Sequence, residues 1–319
     1  METIESCELC GAAATPLLAT FDRFGDLSLR PYRIGRCAGC GFTFLMDRPA
    51  AVELLASHQQ EEYDPFLSLK RERGLYGTVY ELMRDRNLRW KHRLIRRRLR
   101  PGRLLDIGCG TGEFVLFMRE RGWDAAGMEP SAPARAFLQR RGAPVFADIP
   151  EQGAYDLVTM WHSLEHIPDL GRAAAKAAGL VAESGLLVIA VPNIDSADFR
   201  AYGPCWVALD APRHLHHFRV SDLDRLFAPH GLARVGQRSL PFDVLYNALE
   251  SEKLKARADG AGSLAALARA AVRGAGLLAA ETLRPASAAS ICHIFMRRRA
   301  AAGLGENGQG GGGESAKPH

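Results

Sequence analysis

Cys7-x-x-Cys10-Gly11 and Cys37-x-x-Cys40-Gly41 supply four thiols in two tight knuckles, with 26 residues between Cys10 and Cys37. In such a knuckle the glycine relieves the turn, and backbone amides can point at thiolate sulfurs. Four sulfurs make the tetrahedral set of a closed structural zinc site, which leaves no open position for catalysis. A second constellation reads Leu104-Leu105-Asp106-Ile107-Gly108-Cys109-Gly110-Thr111-Gly112-Glu113-Phe114. Here an apolar strand runs into glycines at alternate positions and then into a helix, so a ligand can lie against bare backbone. Glu129 stands 17 residues after Gly112, at the end of the next strand, where a carboxylate accepts hydrogen bonds from both hydroxyls of a ribose. A third set is rich in histidine: His162, Glu165 and His166, then Arg213, His214, His216 and His217. A neutral imidazole near pH 7 suits the removal of a proton from a hydroxyl.

The elements that must position these groups follow from the apolar pattern. Strand-length apolar runs alternate with helical stretches from Arg103 onward, the sequence form of repeated βα units and a mostly parallel sheet. Seven strands are expected: Arg103–Ile107, Asp124–Met128, Pro144–Phe146, Leu157–Met160, Leu186–Val191, Ala233–Gln237 and Ile291–Arg297. An Ala/Leu-rich helical segment, roughly Phe242–Leu283, is inserted before the last strand. Ser221 is the expected cap of a helix over Asp222–His230. The domains expected are a zinc ribbon over 1–48, a helical connector over 49–100, and an α/β domain over 101–298. The Gly-rich tail over 299–319 has too little apolar surface to order itself.

The Asp-x-Gly-x-Gly-x-Gly form of the loop, with Asp106 two residues before Gly108, resembles the class I S-adenosylmethionine-dependent methyltransferases. The resemblance covers about residues 100–240. It implies a doubly wound, Rossmann-like sheet of seven strands, with S-adenosylmethionine held by Asp106, Gly108, Gly110, Gly112 and Glu129. By the same resemblance Asp148 faces the adenine amino group, Ile149 packs on the ring, and Trp161-His162-Ser163-Leu164-Glu165-His166 lines the methionine end. Pro212-Arg213-His214-Leu215-His216-His217-Phe218 resembles a segment common in methyltransferases of small molecules. The candidate proton acceptors are His166 and His217 first, then His214 and His162. His162, Glu165 and His166 form an alternative site for a divalent cation, as in some related O-methyltransferases. The ribbon, with Gly41-Phe42-Thr43-Phe44-Leu45, is similar to that of bacterial methyltransferases acting on nucleotide sugars, polysaccharides or other small metabolites.

The net charge of +5 over 319 residues with 47% hydrophobic content is mild, and argues for no particular polyanion. No run approaches the roughly 18–20 apolar residues of a membrane span. The scattered cysteines Cys109, Cys205 and Cys292 do not form a secreted framework, and a cytoplasmic protein is expected. The expected activity is methyl transfer to a hydroxyl or carbon of a small molecule, such as a sugar or related biosynthetic intermediate. One rival is an RNA methyltransferase that docks through the ribbon and the basic stretch Arg84–Arg100. Another is a non-catalytic protein that keeps the cofactor fold.

Overall fold

The computed structural model describes residues 1–25, 31–50, 53–54, 75–240, 243–260 and 262–298. The expected tail over 299–319, and most of the connector before Leu75, lie outside these residues. The N-terminal part holds five short strands: β1 (Glu2–Thr3), β2 (Ala14–Thr20), β3 (Tyr32–Cys37), β4 (Thr43–Leu45) and β5 (Asp47–Arg48). Helix α1 (Leu75–Arg96) leads into the larger part. There the chain runs β6 (Arg103–Ile107), α2 (Glu113–Arg119), β7 (Asp124–Met128), α3 (Ala132–Gln139), β8 (Val145–Phe146) and β9 (Tyr155–Trp161). It continues with α4 (Leu170–Leu180), β10 (Val181–Pro192), α5 (Ala197–Tyr202), β11 (His216–His217) and α6 (Val220–Phe227). The last elements are β12 (Leu232–Ser239), α7 (Asp243–Asp259), α8 (Ser263–Leu283) and β13 (Ser290–Arg297).

The seven-stranded sheet has the order β12-β13-β10-β9-β6-β7-β8. Strands β6 to β10 are parallel, and β13 runs antiparallel between β10 and β12. This is a doubly wound, Rossmann-like α/β fold. Strand order reverses between β6 and β9, so the crevice for a ligand opens beyond their carboxyl ends.

The two helical layers follow from the period of the strands. Leu104, Ala125, Leu157, Leu186 and Val188 face Leu94 and Ile95 of α1, Phe114, Val115 and Met118 of α2, and Leu138 of α3. Their neighbours Leu105, Ala126, Val158, Leu187 and Ile189 face the alanine side of α4 (Ala173, Ala174, Ala177, Ala178) and Leu223, Leu226 and Phe227 of α6. Successive residues of a buried parallel strand are apolar on both faces, which explains their continuous runs.

Three local features differ from the sequence reading. The inserted helical segment is two helices, α7 and α8, separated at Gly260, whose φ of +67° ends the first. Helix α6 starts at Val220, so Ser221 lies within its first turn. The Asp222 carboxylate instead accepts a hydrogen bond from the Arg219 N–H at 2.8 Å. The ribbon sheet is completed from the larger part: β11 pairs antiparallel with β4, giving the order β11-β4-β3-β2.

Candidate functional site

The glycine loop turns between β6 and α2 with Gly108, Gly110 and Gly112 at φ of +75°, +55° and +77°. At Gly108 an added Cβ would run into Ser163, and at Gly112 into Leu138, so the loop fits its surroundings only as glycine. The Gly108 and Cys109 N–H groups donate to the Met128 carbonyl at 2.8 and 3.0 Å. Glu129, just beyond β7, accepts from Gly110 N–H at 2.9 Å and from Ser131 N–H at 2.8 Å. Burial raises its pKa, while those two amides oppose the shift. Asp106 is buried and accepts from the Thr159 hydroxyl at 2.6 Å. Burial pushes its carboxyl up to about 7, against the Thr159 hydrogen bond and the nearby Lys91.

The structure therefore brings Asp106, the three glycines and Glu129 to one crevice at the strand crossover. Asp148 stands exposed just past β8, with Lys176 Nζ 3.6 Å from its carboxylate. Ile149 is buried in the core layer beneath it. Trp161 closes the end of β9, edge-on to Phe114 at 5.5 Å between ring centroids.

One group at this crevice escaped the sequence reading. Lys91 of α1 sits with Nζ 4.4 Å from the Trp161 ring centroid and 5.7 Å from that of Phe114. Burial lowers its pKa, and Asp106 and Asp243 oppose this. Within a stretch dense in arginine and lysine, nothing local distinguished it from its solvated neighbours.

Beyond β9 the chain turns through His162, whose φ is +52°. Its Nε2 lies 3.1 Å from the Asp243 carboxylate at the start of α7, and its Nδ1 lies 3.4 Å from Glu165. Burial disfavours the imidazolium, yet Asp243 and Glu165 raise His162 to about 10. As it stands, then, this histidine is a cation rather than a neutral base.

Glu165 is fully buried, and neither carboxylate oxygen has a hydrogen-bond partner among the described residues. Burial pushes its pKa up, but His162, His214 and His166 outweigh that and hold it below the ordinary value. His166 Nδ1 is 3.0 Å from the Arg213 carbonyl, and His214 Nδ1 is 2.8 Å from the Ala208 carbonyl. A carbonyl only accepts, so each Nδ1 carries the proton and each Nε2 the lone pair. The two rings meet edge-on with centroids 4.6 Å apart. One ligand atom each from Glu165, His166 and His214 lies within 4.8 Å of the others. His217 is buried next to this group, and burial lowers His214 to about 4 and His217 to about 3.

The four ribbon cysteines also converge. Cys7 Sγ lies 3.6 Å from Cys40 Sγ, and Cys10 Sγ lies 3.4 Å from Cys37 Sγ. A tetrahedral metal with bonds of about 2.3 Å needs sulfurs about 3.8 Å apart, close to what is present. The Cys40 amide points at Cys37 Sγ from 3.3 Å, and Gly11 and Gly41 take φ of +73°. Burial opposes ionisation of Cys7, Cys37 and Cys40; at Cys37 the Cys40 amide, the Cys10 thiol and the Gly39 amide outweigh it and bring it down to about 6, whereas Cys7 and Cys40 stay raised.

The basic stretch splits between several environments. Leu94 and Ile95 are buried, Arg84 pairs with Glu113 at 2.9 Å, Arg89 pairs with Asp85 at 2.7 Å, and Arg96, Arg97 and Arg98 are exposed.

Comparison with known proteins points to methyl transfer. The family described as "Methyltransferase domain" matches residues 80–236. A ubiquinone biosynthesis O-methyltransferase of Bordetella avium is 28% identical over 165 residues, 46% of this chain and 68% of that protein. The protein of the same name from Burkholderia pseudomallei is 29% identical, over 46% of this chain and 71% of its own length. That from Stutzerimonas stutzeri is 30% identical, over 41% and 64% respectively. The matched stretch holds the glycine loop, Glu129 and the histidine-rich turn after β9. No helix among the described residues is long and apolar enough to cross a membrane. Over residues 80–236 the chain thus carries a match to a methyltransferase domain, on the sheet and glycine loop that suit S-adenosylmethionine as methyl donor.

Proposed function

We propose that the chain methylates a hydroxyl or carbon of a small molecule, a sugar or related biosynthetic intermediate, with His166 as the proton acceptor. What carries this reading is the fixed tautomer of His166 beside Glu165 and His214, beyond the carboxyl end of β9. Among the four candidate histidines, His162 is already charged, and His214 and His217 are held neutral at about 4 and 3, too weak to take a proton readily. His166 is only half-buried, and its lone pair is on Nε2.

In this reading the Glu129 carboxylate holds the ribose, Asp148 and Ile149 flank the adenine, and the Lys91 ammonium meets the methionine carboxylate. Bound there, S-adenosylmethionine supplies a methyl carbon activated by a sulfonium. The acceptor's proton passes to His166 Nε2, and the acceptor's electron pair forms the bond to the methyl carbon. The cofactor's sulfonium would serve as the leaving group of this single displacement, departing as a neutral thioether as the new bond forms. Glu165, ionised and buried nearby, stabilises the imidazolium that forms. The names of the relatives favour an oxygen acceptor.

The ribbon cysteines would hold one structural zinc, whose binding supplies folding energy that a module this small lacks. A second reading of the acceptor site has Glu165, His166 and His214 hold a divalent cation, supported by the 4.8 Å within which one ligand atom from each lies. The residue set differs from that expected from sequence, because Asp243 takes up His162.

The test supplies methyl-labelled cofactor to the purified protein with nucleotide-sugar pools, quinone precursors and total RNA, with and without a chelator. Label in a small molecule, persisting after chelation, supports His166 as the base. Loss on chelation with recovery on a divalent cation favours the second reading, and label in RNA overturns both.

A further inference from the structure

The histidines of the acceptor side are not held by the larger sheet alone. The segment from Pro212 to Phe218 lies between two neighbours. On one side are the turn after β9 and the end of β10: Leu215 N–H donates to the Glu165 carbonyl at 2.8 Å, and His166 Nδ1 donates to the Arg213 carbonyl at 3.0 Å. His216 Nε2 donates to the Ile167 carbonyl at 3.0 Å, and Ile194 N–H to the Phe218 carbonyl at 3.0 Å. On the other side is the cysteine ribbon. His216 and His217 are its fourth strand, registered on Phe44 and Thr43, and Leu45 N–H donates to the Leu215 carbonyl at 2.9 Å. The His216 ring stacks on Phe42, two residues after Cys40, with centroids 5.9 Å apart.

Arg219 closes this arrangement. Its Nη2 donates to the carbonyl of Cys40 at 2.8 Å and to Asp222 at 2.7 Å, and its Nε donates to Asp222 at 3.0 Å. The guanidinium therefore links the second cysteine knuckle to the start of α6, two residues beyond His217. Its fit is tight: a Cβ on Gly41 would stand 2.7 Å from Nη1. Arg225 reaches the same Cys40 carbonyl only at 3.4 Å. A planar fork can satisfy a carbonyl and a carboxylate together, whereas a lysine ammonium is a point charge on a flexible stem.

We propose that the four-cysteine ribbon is part of the acceptor site, and that Arg219 is a positioning residue through which the knuckle at Cys37–Gly41 sets the placement of His214 and His217. The proposal rests on the reading that His166, held by the Arg213 carbonyl of this segment and flanked by His214 and His217, serves the acceptor. The carboxylates of the cofactor crevice are held within the larger sheet, Asp106 by the Thr159 hydroxyl and Glu129 by the Gly110 and Ser131 amides.

The experiment uses the full chain, with metal content measured, and follows the imidazole carbon–proton resonances assigned by single histidine replacements. These spectra need no acceptor, so they report placement even if the proposed chemistry is wrong. Calorimetry with S-adenosylhomocysteine is run alongside. Arg219→Ala should retain metal and cofactor affinity while the His214 and His217 resonances shift or broaden. Arg219→Lys should recover only part of the native positions. Removing metal from the reduced wild type with a chelator alone should move the same two resonances with cofactor affinity unchanged. This arm also stands if Arg219→Ala does not fold. Unmoved His214 and His217 resonances in folded, metal-bearing Arg219→Ala would overturn the proposal. So would metal removal that abolishes cofactor binding together with the histidine shifts, because the ribbon would then support the whole fold rather than the acceptor side.

Discussion

Replacing Glu129 by alanine tests the cofactor crevice at the point where most of its contacts meet. In the structure the carboxylate accepts from Gly110 N–H at 2.9 Å and Ser131 N–H at 2.8 Å, so it both shapes the glycine loop and presents itself to a ribose. A hydrogen bond to a charged group contributes about 1.5–3 kcal/mol, and each 1.4 kcal/mol is tenfold in affinity. S-adenosylhomocysteine should therefore bind roughly 10- to 150-fold more weakly. The two amides also lose their acceptor, at a further cost of about 1–3 kcal/mol in stability. Glu129→Gln separates the two effects. Its carbonyl can keep one amide, but its NH2 then faces the other donor, so affinity falls while stability falls less. Calorimetry reads the first effect and thermal unfolding the second. Unchanged affinity in both variants, with the fold intact, would refute the placement of the ribose at Glu129.

His166→Ala should lower turnover by about 10²–10⁴ while S-adenosylhomocysteine affinity holds, the usual scale for a lost general base. Single-turnover kinetics on the identified acceptor would show it. Gly112→Val should abolish cofactor binding in calorimetry and lower the melting temperature, since valine at a φ of +77° is strained and its Cβ would meet Leu138. The fold should also be acid-sensitive. His214 at about 4, and His217 and His293 at about 3, lie below the ordinary 6.5, so the unfolded chain binds their protons first. Stability is then full above pH 6.5 and declines as pH falls toward 4 and 3, by up to about 2 kcal/mol per histidine at pH 5. Urea unfolding at pH 5 and 7.5 measures the difference, and His293→Phe should reduce it.

The seven strands of the main sheet were legible because a parallel strand buried on both faces writes a short apolar run, bounded here by glycines and charges. The glycine loop was legible for a related reason: positive φ at Gly108, Gly110 and Gly112 admits little but glycine, and the acid at Glu129 sits at a fixed distance along the chain. The cysteine cluster is likewise local in pattern, although its two halves meet across 26 residues.

What failed depended on contacts distant in sequence. His162 reads as a neutral base until Asp243, on a helix that follows β12, makes it a cation. His214 joins Glu165 and His166 because the segment after Leu209 folds back onto the turn after β9. Nothing in the sequence shows that His216 and His217 form a ribbon strand, since two residues carry no period. Ser221 looked like a helix cap by type, but the carboxylate one residue later captured the Arg219 amide and moved the start of the helix.

The most direct test of the account is a crystal structure of the full chain with S-adenosylhomocysteine. The account predicts ribose hydroxyls on the Glu129 carboxylate, adenine between Asp148 and Ile149, and the amino acid end near Lys91 and Trp161. The sulfur should face the Glu165–His166–His214 group. A ligand seated elsewhere, or one whose sulfur points away from His166, would contradict it.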